Sequence, residues 1–458
     1  MSIRRQALKT IDRAMSSRAF TEWIAPIMQQ LPIGKIKKNI IKNKIESVQG
    51  SRVLSSSPYR AVINITNKCN YRCKICEIHF LHKKYPLHYP NTIDLREFKN
   101  MSPILENLYL LEFFGNVGEP LTNPDFKNIV KYVKTNFMSR TFLNTNGSLL
   151  NSCMASSLIE AQFDEVLVSL HAATEDSYSK LIGGNFKQVV DNIATLSAIK
   201  EQYGDKKPEV GIAFALNKIN ANETEKMVIL TEKLKANYLQ VSHYHHGKNA
   251  IEEDISFRSQ PEMGNARVNS IYNFAKFLGG VRRKDISVLP KERPYLDAAE
   301  HGTAKQCYAP WNTIKLEGCI EHQNSHYVTV CNRIVLFRLD YTEFDFNDFH
   351  KKLWNHPYFQ YMRATTNSEE FPNPVCQFCR NPENHTLRNT DNDEYRRRRD
   401  ESMRSFWELA DDYYKPQEIK GIYLIKENPY GDKSISPQQS CEACPVRDMG
   451  NRLTRRHK

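Results

Sequence analysis

Three cysteines fall within one short run, Cys69-Asn70-Tyr71-Arg72-Cys73-Lys74-Ile75-Cys76, directly after the strand-like Ile63-Asn64-Ile65-Thr66. The spacing C-x3-C-x2-C lets a single loop present three thiolates to one iron–sulfur cluster. A cubane has four irons, so three protein ligands leave one iron open to a small molecule, and the cluster becomes catalytic rather than a pure electron carrier. The competing reading is a structural zinc site, which wants a fourth Cys or His nearby; His79 is in reach.

What surrounds the triplet sets the fold class. Strand-like runs near Ala61–Thr66, Leu108–Phe114, Thr141–Thr145, Glu165–Leu170, Val210–Leu216 and Tyr238–Ser242 alternate with helical patterns. One helix is expected from Asn123 as cap and Pro124 at the first position, with the stripe Phe126, Ile129, Val130, Val133. A second follows Asn185 with Phe186, Val189, Val190 and Ile193. Strands alternating with such helices imply a parallel sheet with right-handed crossovers. Six units are too few for an eight-stranded closed barrel, so the expectation is an α/β fold, a partial (β/α)6 TIM-like barrel.

Eleven cysteines without a signal-peptide pattern argue for metal rather than disulfides, and for a cytoplasmic, reducing setting. Ten lie in the triplet or after residue 300, and Cys153 reads as a buried small hydrophobe. No apolar stretch is long enough to span a membrane. The formal charge of +12 is compatible with a soluble chain whose cluster thiolates offset part of it. Arg396–Arg399 are flanked by Asp391, Asp393, Glu394, Asp400 and Glu401 and read as a salt-bridged helix, so no nucleic-acid partner is expected. Residues 1–58 are basic and helical in pattern. Lys35, Lys37, Lys38, Lys42 and Lys44 alternate with Ile36, Ile40, Ile41 and Ile45, as in a helix packed on the main domain with its lysines in water.

The strand ends carry further motifs. Gly118-Glu119-Pro120-Leu121 ends the second strand, Thr145-Asn146-Gly147 the third and Val168-Ser169-Leu170-His171 the fourth. With the triplet after the first strand, this set resembles the radical S-adenosylmethionine (radical SAM) superfamily over about residues 59–246. The resemblance implies a 4Fe-4S cluster on Cys69, Cys73 and Cys76, with SAM on its open iron. It implies reductive cleavage of SAM to methionine and a 5′-deoxyadenosyl radical, which takes a hydrogen from the substrate. Gly118 and Glu119 would face the methionine amino group, and Asn144, Asn146 and Ser169 its carboxylate or the ribose. Ile75 stands where an aromatic residue is frequent, Asn116-Val117 where a second glycine is common, and His171 where an aspartate is.

The later cysteines resemble the SPASM or twitch auxiliary-cluster extension, over about residues 301–382. Cys307-Tyr308-Ala309-Pro310-Trp311 opens it and Cys376-Gln377-Phe378-Cys379 closes it. The resemblance implies one auxiliary 4Fe-4S cluster on Cys307, Cys331, Cys376 and Cys379. A second would draw on Cys319, Cys441 and Cys444; zinc is the alternative for the last pair. The organisation expected is a helical extension (1–58), a partial barrel (59–246), a helical connector (247–300), the auxiliary domain (301–382) and a helical and CxxC tail (383–458). Short strands at Thr313–Leu316 and Tyr327–Val330 and a helix over 393–411 are expected within it. His243 and His245, past the sixth strand, are candidates to orient substrate or take a proton.

The function implied is hydrogen abstraction followed by net oxidation through the auxiliary cluster. A peptide-modifying maturase and a non-catalytic iron–sulfur carrier or sensor are the alternatives. Expected partners are a flavodoxin- or ferredoxin-like reductant and a small-molecule or peptide substrate.

Overall fold

A computed structural model describes residues 34–76, 91–114, 118–244, 251, 253–257, 259–282, 286–291, 307–319, 322, 324–331, 334–370, 373–380, 392–413 and 418–426. Strands β1 (Arg60–Ile63), β2 (Leu110–Phe113), β3 (Arg140–Thr145), β4 (Glu165–Ser169), β5 (Glu209–Leu216) and β6 (Tyr238–His243) lie side by side in chain order, each parallel to the next. These are the six expected strands. The sheet is open: short β7 (Val288–Leu289) extends the β6 edge. On the other side β8 (Thr313–Gly318) pairs parallel with β1. Antiparallel β9 (Ser325–Cys331), β10 (Ile334–Asp340) and β11 (Ile422–Leu424) continue outward from β8. The sequence reading lacked β7, β10 and β11. Asn332-Arg333, between β9 and β10, holds neither glycine nor proline to mark a break.

Helix α1 (Lys35–Val48) precedes the sheet. Helices α2 (Phe126–Asn136), α3 (Ser152–Glu160), α4 (Glu175–Leu181), α5 (Phe186–Gln202) and α6 (Thr224–Lys233) connect the parallel strands. Helix α7 (Pro261–Arg282) lies in the expected connector; α8 (Pro357–Thr365), α9 (Pro374–Arg380) and α10 (Asn392–Tyr413) follow β10. The expected stripe of α2 is buried in full, but Asn123 does not cap it. Its amide donates at 2.9 Å to the carbonyls of both Ile65 and Ile93, and its Oδ1 takes the Asp125 N–H. The helix therefore starts at Phe126, and Asn123 joins two chain segments. Asn185 does cap α5, accepting from Gln188 N at 2.9 Å. On α10, Met403, Phe406, Trp407 and Ala410 are buried together as the period predicts. Helix α1 keeps Lys35, Lys37 and Lys38 in solvent. It is anchored by Glu46, which accepts from Ser55 N at 2.8 Å and from the Ser56 hydroxyl. Cys153 is exposed, not buried: it lies off the α3 face formed by Met154, Ala155, Leu158 and Ile159, with Lys127 Nζ 2.9 Å from its sulfur.

Strand alternation sorts the two faces of the sheet. Leu143, Val166, Val168, Ile212, Phe214 and Leu216 enter the core with the helices, where Phe113 meets Phe126 edge-on at 5.6 Å. The opposite, inner face mixes polar with apolar side chains such as Phe142 and Leu167. At the N-terminal ends of the strands Arg140 pairs with Glu165 (2.7 Å) and Glu209 (3.2 Å), Tyr238 donates to Glu165 (2.5 Å), and Arg60 pairs with Glu112. These groups form a charged floor and leave the C-terminal ends of the strands for the cysteine loop.

Candidate active site

The three cysteines lie just past β1, and the loop is held by its neighbours on several sides. Glu119 N donates to the Lys68 carbonyl at 2.7 Å, tying it to the end of β2. Asn70 donates to Ser148 Oγ (2.8 Å) and accepts from Asn146 Nδ2 (2.9 Å), tying it to the end of β3. Ile75 N donates to Leu181 O (3.2 Å) and Lys74 Nζ to Ser179 O (3.2 Å), tying it to α4. The ring of Tyr71 lies on Gly184 so closely that a Cβ there would come within 2.5 Å of it.

The donor set fits a cationic cluster. Cys69, Cys73 and Cys76 are half-buried. Burial pushes the Cys69 thiol up, and it pushes Cys73 up to about 12, reinforced by the charges of Cys76 and Cys69. Thiolates at Cys69 and Cys73 are therefore costly without positive charge beside them, which iron supplies. Among the described residues no three His, Cys, Asp or Glu side chains converge on a single-ion site.

At the strand ends, Gly118 has φ +89°, and a Cβ on it would lie 2.2 Å from the Thr66 carbonyl oxygen. The close approach that this glycine permits is therefore to the backbone just before the triplet. Glu119 is buried and accepts from Thr145 Oγ1 (2.6 Å), Asn146 N (2.7 Å) and Leu121 N (3.2 Å). Burial raises its pKa in spite of these donors. Ser169 donates to Asn144 at 2.9 Å, so two of the expected polar contacts stand side by side, half-buried. His171 has φ +57°, and its Nδ1 accepts from Ala215 N at 3.1 Å. Burial lowers its pKa to about 4, so the ring is neutral.

The other sequence candidates fall into three groups. His243 is buried, and its register partner is Leu216. It shares a strand face with Leu239 and Val241, the helix-packed face, whereas Gln240 and Ser242 face inward. That position suits packing rather than substrate contact. Cys307 and Cys376 both meet the end of α8. Asn367 accepts from Cys307 N and donates to Cys307 O, each at 2.9 Å, and Cys376 Sγ lies 3.9 Å from Thr366 Oγ1. Cys379 follows on α9, exposed. Cys319 is buried at the end of β8, where its carbonyl accepts from Asn67 at 3.3 Å, beside the first cysteine loop. Cys331 ends β9. His79, His245, Cys441 and Cys444 lie outside the described residues, as does Asn116-Val117. The sequence reading missed Asn67, Asn91 and Ser148, and gave no role to Asn70 and Thr145, which lie within the motifs it quotes. One signal was present, the recurrence of asparagine at 64, 67 and 70 leading into the triplet.

Comparison with known proteins agrees with this geometry. The family described as "Radical SAM superfamily" matches residues 63–228. A probable GTP 3′,8-cyclase of Methanococcus aeolicus is 32% identical over 223 residues, covering 44% of this chain and 68% of that protein. This chain belongs to the radical SAM superfamily of enzymes. Radical SAM membership brings with it a 4Fe-4S cluster and SAM as cofactors. Other relatives match at lower identity. A tungsten-containing aldehyde ferredoxin oxidoreductase cofactor-modifying protein of Pyrococcus furiosus is 26% identical over 167 residues, 36% of this chain and 46% of that one. An S-adenosylmethionine-dependent nucleotide dehydratase of Selenomonas ruminantium is 28% identical over 178 residues, 38% of this chain and 62% of that one. The chain thus spans about half to two thirds of the relatives it matches. Among the described residues of this radical SAM protein, no helix is long and apolar enough to cross a membrane.

Proposed function

We propose that this chain takes a hydrogen atom from a substrate carbon and completes a net oxidation by passing an electron to an auxiliary iron–sulfur cluster. The observation that carries the reading is the mounting of the Cys69–Cys76 loop on the C-terminal ends of β2 and β3 and on α4. When bound, the cluster and SAM supply an electron and a 5′-deoxyadenosyl radical, and the auxiliary cluster supplies the acceptor. The chain's own residues do the rest. Cys69, Cys73 and Cys76 hold the first cluster. Glu119, uncompensated by any described cation, offers negative charge to the SAM ammonium through the Gly118–Glu119 turn. Asn144, Asn146 and Ser169 offer polar groups to the SAM carboxylate or ribose. The ion pairs of Arg60 with Glu112 and of Arg140 with Glu165, with Tyr238 donating to Glu165, brace the inner face at its other end. The approach of Cys307 and Cys376 to Thr366 and Asn367 supports a second ligand set with Cys379 and Cys331. An external low-potential protein serves as reductant, and the substrate is a small molecule or peptide.

The test is anaerobic reconstitution with iron and sulfide, followed by dithionite and SAM. The expected product is 5′-deoxyadenosine; its absence from a folded, iron-loaded chain would sink the proposal. Replacing Cys69, Cys73 and Cys76 together by Ala is expected to remove about four irons per chain and to leave the auxiliary iron. Loss of all iron would contradict the two-site assignment.

A further inference from the structure

The chain stretch carrying Cys69, Cys73 and Cys76 is closed at its base by two asparagines. Asn67 N donates to the Asn91 carbonyl at 2.9 Å, and Asn91 N donates to Asn67 Oδ1 at 2.8 Å. Beside them Thr66 and Thr92 form a bridge with their hydroxyls 2.9 Å apart. The base in turn stands on the C-terminal strands. Asn67 Nδ2 donates to Cys319 O (3.3 Å), Asn91 Nδ2 donates to Ser325 O (3.0 Å), and Tyr341 Oη donates to Asn91 Oδ1 (2.7 Å). His326 Nε2 is 2.7 Å from the Asn64 carbonyl, which can only accept, so the ring donates. Asn64, Asn67, Asn91, Cys319, Ser325, His326 and Tyr341 are each at most 4% exposed.

The pairing of β1 with β8 does not account for these bonds, since its register ends at Ile63 and Leu316. Asn91 uses both backbone groups on Asn67 and both side-chain groups on Ser325 and Tyr341, four polar partners in a site without solvent. In such a site each lost partner strands a buried donor or acceptor, so the bonds hold or fail together.

We propose that Asn67 and Asn91 are positioning residues that seat the cysteine stretch on the β8–β9 hairpin, so that the C-terminal sheet sets where the SAM-site cluster sits. The proposal rests on the reading of Cys69, Cys73 and Cys76 as cluster ligands. Two variants test it in the full-length chain. Tyr341→Phe removes one bond to Asn91 and keeps the ring; Asn91→Ala removes both side-chain bonds. In the cluster-free chain, amide hydrogen exchange over residues 68–76 is expected to rise about fivefold in Tyr341→Phe and about tenfold or more in Asn91→Ala. Exchange in β4 and β5 should stay unchanged. In the reconstituted chain, a chelator should strip the SAM-site iron faster in the same order, and the electron paramagnetic resonance signal of that reduced cluster should broaden. Unchanged exchange over 68–76 in Tyr341→Phe and in Asn91→Ala overturns the proposal, and Tyr341→Phe decides alone if Asn91→Ala does not fold. The ligand reading fails separately: a wild-type chain that takes up no iron at the triplet, with variants that still loosen 68–76, removes the cluster and leaves the seat.

Discussion

Two buried carboxylates bind opposite ends of β3 in nearly the same way and differ in one respect. At the start of the strand Asp164 accepts from Thr141 N (2.9 Å) and Thr141 Oγ1 (3.0 Å). At its end Glu119 accepts from Thr145 Oγ1 (2.6 Å) and Asn146 N (2.7 Å). Asp164 also receives two ammonium groups, Lys134 at 2.6 Å and Lys207; among the described residues no cation pairs with Glu119. Burial acts to raise both pKa values. At Asp164 the lysines overcome it and hold the group at about 2, while at Glu119 the neutral donors do not, and the pKa stays raised. The lower end of the sheet thus carries its own counter-charge, and the upper end holds an unpaired carboxylate beside the thiols of Cys69 and Cys73, which burial pushes up. An end built for stability can satisfy its charges internally, whereas an end built to receive a cationic ligand must leave some unsatisfied.

The contrast breaks most sharply at Gly118. An added Cβ would lie 2.2 Å from a backbone oxygen at a φ of +89°, so neither the atom nor the torsion can be accommodated in place. Gly118→Ala is expected to cut iron at the triplet and 5′-deoxyadenosine formation at least about tenfold, measured by iron analysis and product assay. The lower end should remain folded, seen as unchanged hydrogen exchange in β3 and β4. At that end, Asp164→Ala leaves the largely buried Lys134 unpaired. A loss of about 3 kcal/mol in urea unfolding is expected, with the iron content of the surviving folded protein unchanged. Equal effects of the two substitutions on iron content would erase the distinction between the ends.

The parts of this arrangement were not equally legible in the sequence. Strands β1–β6 could be located because each is short and carries apolar residues on its helix-facing side, and helices between them carry 3.6-residue stripes, as at Phe126, Ile129, Val130 and Val133. The triplet and the strand-end motifs were local as well. What the sequence hid was pairing across long separations. Asn91 meets residues 24 and 234 positions away, and no spacing rule links them. Asn123 looked like a cap because caps are local, but its partners belong to two other segments. Alternation alone leaves the side that His243 faces open. Only the register with Leu216 fixes which side that is. Cys153 was judged by residue type, which does not say which face of a helix it occupies.

Glu119→Gln sharpens the contrast with smaller effects. The amide keeps the shape but cannot offer negative charge, so SAM affinity in the reconstituted chain is expected to fall about tenfold, or about 1.4 kcal/mol, measured by equilibrium binding. An unchanged affinity would make Glu119 a purely structural clamp.

The smallest expected effect is on pH dependence, and its sign differs at the two ends. Asp164 titrates lower in the folded chain than its ordinary 3.8, so its contribution is present above that pH and is lost as pH falls toward about 2. Glu119 titrates above its ordinary 4.5, so the folded chain holds its proton longer and stability from this group declines as pH rises past 4.5. Urea midpoints between pH 3 and pH 6 should therefore fall less steeply on acidification in Asp164→Asn than in the wild type, and more steeply in Glu119→Gln. Parallel curves for all three proteins would mean that the lysines at one end and the missing cation at the other do not set these two titrations.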